Sequence, residues 1–210
     1  MKKAYFLSVF VLTGLFLASC GGEAPKEETP EEQAPVCFYS YNHQSSEMTW
    51  TAFKFNEKTA VGGTFTEINV EGTIEGNDPM AILKSLSFDI PVSTIESQNE
   101  DRNGKIIKHF FGTIGTKNIT GKVVELGDKG EATLEVTMNN IAQEVKGQYT
   151  FVDDKFEFSA TIDVANWNAN SGITALNKIC KDLHTGPDGV SKLWSEVDLK
   201  FSTTLASDCN

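Results

Sequence analysis

The side chains best placed to do chemistry are Cys180 and His184, four apart in the run ALNKICKDLH. On a helix that spacing puts thiol and imidazole on one face, where together they could hold a soft metal ion. Two ligands do not complete a tetrahedral site, and a third would have to come from Asp182, His109 or His43, none at a spacing that forces it there. The plainer alternative is that Cys180 is a small buried apolar side chain and that His184 ends a helix at the negative end of its dipole. A nucleophile elbow, a metal-protease helix, a phosphate-binding glycine loop and kinase strings are all missing from the 210 residues. The sequence therefore reads as non-enzymatic and implies no cofactor. Its 18 Lys and Arg against 29 Asp and Glu give a net charge of −11, so binding by phosphate neutralisation is poorly supported and no nucleic-acid partner is expected.

A different chemistry belongs to Cys20. Lys2 and Lys3 precede an apolar run that is short for a membrane span and right for a signal peptide, and the run ends in Leu17-Ala18-Ser19-Cys20. Small residues before a cysteine in that position have the form of a bacterial lipobox, which predicts cleavage after residue 19 and lipidation of Cys20. The stretch 21–35 (GGEAPKEETPEEQAP) holds five Glu, three Pro and no large apolar side chain. It cannot bury enough surface to offset the entropy of ordering, so residues 20–36 read as a lipidated acidic tether. Gly21, where Asp would signal retention at the inner membrane, favours an outer-membrane lipoprotein of the cell envelope, facing the periplasm or the surface.

The elements that must position any site lie in 37–210 and alternate. Ala132, Leu134, Val136 and Met138 interleave with polar residues, the period of two that puts apolar side chains on one face of a sheet. The same pattern runs through 145–151, 156–164 and 197–205, separated in part by the turn pairs Asn139-Asn140 and Asp153-Asp154. Further strands are read at 38–42, 48–55, 63–72, 86–92 and 116–126. Short helices are predicted at 102–111 and 175–184, with one further turn at 79–84 capped by Asp78 and opened by Pro79. An antiparallel sheet closed on itself is the economical arrangement, because closure removes unpaired edges.

Several strings in this order resemble the YceI-like family, bacterial polyisoprenoid-binding proteins with a lipocalin-like barrel. They are Trp50, Phe53-Lys54-Phe55, Gly62-Gly63-Thr64-Phe65, Gly72-Thr73-Ile74, Pro91-Val92-Ser93-Thr94-Ile95, Asn99 with Arg102, Phe110-Phe111, Leu134-Glu135-Val136-Thr137, Phe158-Ser159-Ala160-Thr161 and Trp167. The resemblance covers roughly residues 48–205. It departs from the family pattern at Arg102-Asn103, where the family has Arg-Asp, in an interval one residue shorter before the paired Phe, and in the segment CKDLHTGPDGVSKLW at 180–194. The fold implied is all-β: an eight-stranded antiparallel lipocalin-like barrel with one or two short helices at its mouth.

The function implied is binding, transport or storage of a long apolar ligand, an isoprenoid, quinone or acyl chain, in the barrel of a membrane-anchored lipoprotein. Inward positions alternate with outward ones along barrel strands, which makes Phe65, Phe88, Tyr149, Phe151, Phe158 and Phe201 candidates to line a lumen. Phe110, Phe111, Ile162 and Trp167 join them as ligand-binding candidates. An eight-stranded interior is also small enough for side chains to fill, which leaves a filled-core adhesion or scaffold module as an alternative, beside a metal or redox protein using Cys180 and His184. Cys37 begins the first strand and Cys209 ends the last, ends that lie side by side in a barrel of even strand number, so the expected disulfide is Cys37 to Cys209. Pairing of either with Cys180, or a reduced protein, stays open. The oligomeric state is not specified by the sequence.

Overall fold

The computed structural model describes residues 36–210; Cys20, the signal segment and the tether up to residue 35 lie outside the described residues. The chain enters strand β1 (Cys37–Ser40), passes a single helical turn and continues through β2 (Glu47–Lys54), β3 (Thr59–Phe65), β4 (Asn69–Glu71) and β5 (Glu75–Gly76). Helix α1 (Pro79–Ser85) follows, with Asp78 Oδ1 accepting the Met80 and Ala81 amides and Pro79 in the first turn, where no amide hydrogen is missed. Then come β6 (Ser87–Pro91), β7 (Ile95–Glu96) and helix α2 (Glu100–Lys105), which widens into a π-helical turn over Ile106–Phe111. The strands β8 (Asn118–Leu126), β9 (Glu131–Met138), β10 (Ile141–Val152) and β11 (Lys155–Asp163) form a meander. Both of its tightest corners are two-residue turns with positive φ, at Asn139-Asn140 (52° and 56°) and Asp153-Asp154 (50° and 62°), a conformation these short polar residues tolerate. Helices α3 (Asn170–Ile179) and α4 (Lys181–His184) precede β12 (Leu193–Thr204) and β13 (Ala206–Cys209).

Ten strands form one curled antiparallel sheet in the order β4-β6-β8-β9-β10-β11-β12-β2-β3-β7. The expectation of eight needs correcting for a local reason. The strand read at 63–72 breaks at 66–68, and its partner breaks at 92–94, where a single helical turn intervenes. The broken halves still face one another: Phe65 pairs with Ile95, Val70 pairs with Phe88, and between them the Thr66 amide donates to the Thr94 carbonyl at 2.9 Å.

A separate three-stranded sheet, β13-β1-β5, holds the expected disulfide. Cys37 and Cys209 are directly opposed across β1 and β13 with Cα atoms 4.0 Å apart. The pairing is the one expected, but these strands lie outside the ten-stranded sheet. The helix read at 175–184 is corrected to two: α3 starts at Asn170 and ends at Ile179, and the backbone turns at Cys180 (φ −105°, ψ 22°) into α4. No described helix is long and apolar enough to cross a membrane.

Candidate functional site

Within the curl of the sheet lies a cavity of about 220 Å³ whose lining is almost wholly hydrocarbon. Eight of the ten predicted ligand-binding residues border it: Phe65, Phe88, Phe110, Phe111, Phe158, Ile162, Trp167 and Phe201. Five come from the strands at the parity that alternation predicts, Phe110 and Phe111 from the π-helical turn over one end, and Trp167 from the single helical turn Val164–Trp167 that follows β11. Trp167 is 1% exposed; its indole N–H donates to the Val136 carbonyl at 3.0 Å, and its own carbonyl accepts the Asn139 amide side chain, so the ring is fixed.

Tyr149 and Phe151 do not border the cavity, a correction to the sequence reading. Their parity is inward, and Tyr149 pairs with Phe158 and Phe151 with Phe156, so both stand level with lining residues of β11; what differs is the course of the ring, which for Tyr149 runs toward the connection between β8 and β9. There Tyr149 stacks on Phe156 at 5.5 Å, and its hydroxyl donates to the Gly127 carbonyl at 2.7 Å. Phe156, its stacking partner, does line the cavity. Tyr41 closes the same end: its hydroxyl meets Ser46 Oγ at 2.8 Å, and Ser46 Oγ donates to Thr203 Oγ1 at 2.8 Å. Burial pushes the Tyr41 phenol above its usual range, a shift the Ser46 hydrogen bond partly opposes. Among the described residues no buried side-chain nitrogen or oxygen lacks a partner, so the interior presents no unsatisfied polar atom to a ligand.

Three inward glycines shape the wall. Gly63, Gly121 and Gly147 sit beneath the rings of Trp50, Phe88 and Phe158: an added Cβ would stand 2.6 Å from Trp50, 2.4 Å from Phe88 and 2.4 Å from Phe158. Gly63 and Gly121 are the direct cross-strand partners of their rings. A ring can therefore lie along the sheet instead of standing into the lumen, which keeps space open that a side chain at the glycine would close. Sequence reading did not assign these glycines, or the lining residues Trp50 and Trp194; opposition of ring and glycine across strands is a signal visible once register is known.

The other end is the mouth. Along β2 the inward residues Met48, Trp50 and Ala52 border the cavity, and the next position of that parity is Lys54, whose amine donates to the Leu183 carbonyl at 3.0 Å. Ile106 from the π-helical turn and Ile173 and Leu176 from α3 cover the lumen here. Trp194 borders it too, with its indole N–H on the Phe55 carbonyl at 2.6 Å and the amines of Lys58 and Lys192 over its ring at 4.4 and 3.4 Å.

The remaining polar candidates have local partners. Asn103 is buried, and its Oδ1 accepts both the amide and the hydroxyl of Ser97, at 3.0 and 2.6 Å, which ties α2 to the end of β7. Arg102 reaches the Ser97 carbonyl at 3.4 Å. Cys180 is buried, and burial raises its thiol pKa. The imidazole of His184 meets Asn177 Oδ1 through Nδ1 at 2.9 Å, and burial, with Lys54 adding to it, lowers its pKa. Among the described residues no three His, Cys, Asp or Glu side chains gather in a group that could hold a metal ion.

A curled antiparallel sheet around an apolar cavity with helices at one end defines a lipocalin-like class of binding fold. The chain belongs to the YceI-like domain family, whose family model matches residues 39–205. Among curated proteins there is no match. Solved structures with similar folds include Burkholderia cenocepacia BcnA, at 14% identity and a TM-score of 0.53, over 79% of this chain and 99% of that one. A polyisoprenoid binding domain from Saccharophagus degradans implicated in plant cell wall breakdown aligns at 12% identity and a TM-score of 0.53, over 84% of this chain and 99% of that one. At such identities the likeness is one of fold.

Proposed function

We propose that the protein is a non-enzymatic carrier or store for a long apolar ligand, an isoprenoid, quinone or acyl chain, held in the sheet cavity. The observation that carries this reading is the cavity itself: about 220 Å³, bordered by carbon, with no unpaired polar side chain to recognise a polar substrate. A 150 Å³ apolar cavity accommodates benzene, so this one suits about nine carbons, roughly two isoprene units, with any longer chain continuing through the mouth. Counting β3 with β4 and β6 with β7 as two interrupted strands gives eight, and their mutual pairing returns the sheet to its start, which supports a closed lipocalin-like barrel. The polyisoprenoid binding ascribed to the Saccharophagus degradans neighbour agrees with the same ligand class.

Lipidation at Cys20 would tether the carrier to the outer membrane of the envelope, with the acidic segment as spacer. Two experiments test these halves separately. A neutral naphthylamine dye bound in the cavity should be displaced by micromolar isoprenoid alcohol; a dye that binds and resists every apolar competitor overturns the carrier reading. Cys20→Ala should shift the protein out of the membrane fraction, and salt-resistant pelleting of that variant overturns the anchor.

A further inference from the structure

The mouth of the cavity carries an exposed apolar lip. Ile179, Leu183 and Val190 are 51%, 58% and 46% exposed, all within the α3–α4 corner and the loop that returns to β12. This corner sits on the mouth: the Lys54 amine reaches the Leu183 carbonyl, the Phe55 amide donates to the Lys192 carbonyl, and Leu193 and Trp194, next along the chain, border the lumen. The lip is thus continuous with the cavity lining.

Its charge is opposite to that of the whole. In a chain of net charge −11, the segments 54–58 and 178–196 bring together Lys54, Lys58, Lys178, Lys181 and Lys192. Their acids are Glu57, Asp182, Asp188 and Glu196; Glu196 pairs with Lys58, and Asp188 accepts the Asn56 amide. Among the described residues Lys54, Lys178, Lys181 and Lys192 have no carboxylate partner. Apolar side chains flanked by free lysines and an amphipathic tryptophan are the composition that settles at a bilayer interface, with cations on anionic headgroups and apolar groups below them.

We infer that the α3–α4 lip docks the cavity mouth onto an anionic lipid bilayer. This rests on the carrier reading for its purpose: a ligand that is mostly hydrocarbon crosses from bilayer to cavity most readily where the mouth meets the membrane and no water intervenes. The docking surface itself is separate from the Cys20 anchor, which supplies proximity and not orientation.

The test is orientation-specific. In the full-length chain carrying Cys20→Ala, Leu183→Cys supplies an accessible thiol for an environment-sensitive fluorophore, while Val152→Cys supplies a control at the opposite end of the sheet, also exposed. With phosphatidylcholine vesicles containing phosphatidylglycerol, the label at 183 should brighten several-fold and shift to the blue, and the label at 152 should not. Adding Lys181→Gln and Lys192→Gln should weaken vesicle binding by roughly 25-fold, about fivefold for each charge near an anionic surface. A label at 183 that stays in water overturns the inference and leaves the lip to a protein partner. Equal responses at both positions, or an undiminished response on pure phosphatidylcholine, also overturn it. The measurement requires no ligand in the cavity, so a docking lip on a protein that binds no isoprenoid would refute the carrier alone.

Discussion

Gly147→Ala tests whether the cavity is shaped by rings lying on glycines. The new Cβ would stand 2.4 Å from Phe158 Cε2 and 2.7 Å from its Cζ, against an ordinary contact of 3.4–4 Å, so the ring must rise by about 1 Å into the lumen. The Ser159 carbonyl, 2.4 Å from the same Cβ, is backbone and cannot swing aside, so β10 and β11 must part slightly as well. Overpacking of this kind costs about 1–3 kcal/mol, readable as a lower urea midpoint. In the lumen, lifting the ring removes space for one or two of about nine carbons at roughly 25 Å³ each. Competition by straight-chain alcohols against a cavity-bound dye should therefore show an optimum shortened by one or two carbons. In the double variant Gly147→Ala with Phe158→Leu the ring is gone: the optimum should move past wild type to longer chains, while the cost of the carbonyl contact remains. Unchanged stability and an unchanged chain-length optimum in Gly147→Ala would show that the Phe158 ring does not rest on this glycine.

Phe158→Glu puts a carboxylate among apolar lining residues, so either the acid protonates or several kcal/mol of stability are lost; the expected result is loss of dye binding together with a depressed melting temperature, and normal binding in a stable variant contradicts the lining. Cys37→Ser with Cys209→Ser opens a loop of sequence separation 172, for which chain entropy gives a cost of up to about 5 kcal/mol; denaturant midpoints that match with and without reductant would show the bridge to be energetically idle. The lowered pKa of His184 means the unfolded state takes up its proton first as pH falls, so this contribution to stability is complete above pH about 6.5 and is lost below it toward the depressed folded value. Urea stability should therefore fall from pH 7 to 5 more steeply in wild type than in His184→Asn, and parallel curves would dismiss the effect.

Alternation made most of the meander legible because β9 to β11 carry one continuous face each, with turns marked by Asn139-Asn140 and Asp153-Asp154. It failed where tertiary contacts decide. The register shift between Leu193 and Val197 breaks the period of two, so the first residues of β12, among them the cavity-lining Leu193 and Trp194, did not read as strand. Asn170, Ser171 and Gly172 precede the helix read at 175–184, yet they begin α3, and Gly172 lies so close to the Phe110 ring that an added Cβ would come within 2.8 Å of it. Parity placed Tyr149 and Phe151 inward, but parity does not say which way a ring turns: Tyr149 stands directly opposite the lining residue Phe158, and its hydroxyl is held on the Gly127 carbonyl instead of over the cavity. The expected cysteine pairing rests on the first and last strands lying side by side, and they do, as β1 against β13, although these strands form their own sheet and not the ten-stranded one.

The most direct test of the carrier is its natural cargo. Protein isolated from the envelope of the cells that make it, washed free of bulk lipid and extracted with organic solvent, should release one class of isoprenoid, quinone or acyl-chain compound near stoichiometric amount by mass spectrometry, and Phe158→Glu protein prepared in parallel should release none. If the wild-type extract holds no such compound, and the emptied protein takes up no isoprenoid, quinone or fatty acid at micromolar concentration, the cavity is not a binding site and the account is wrong.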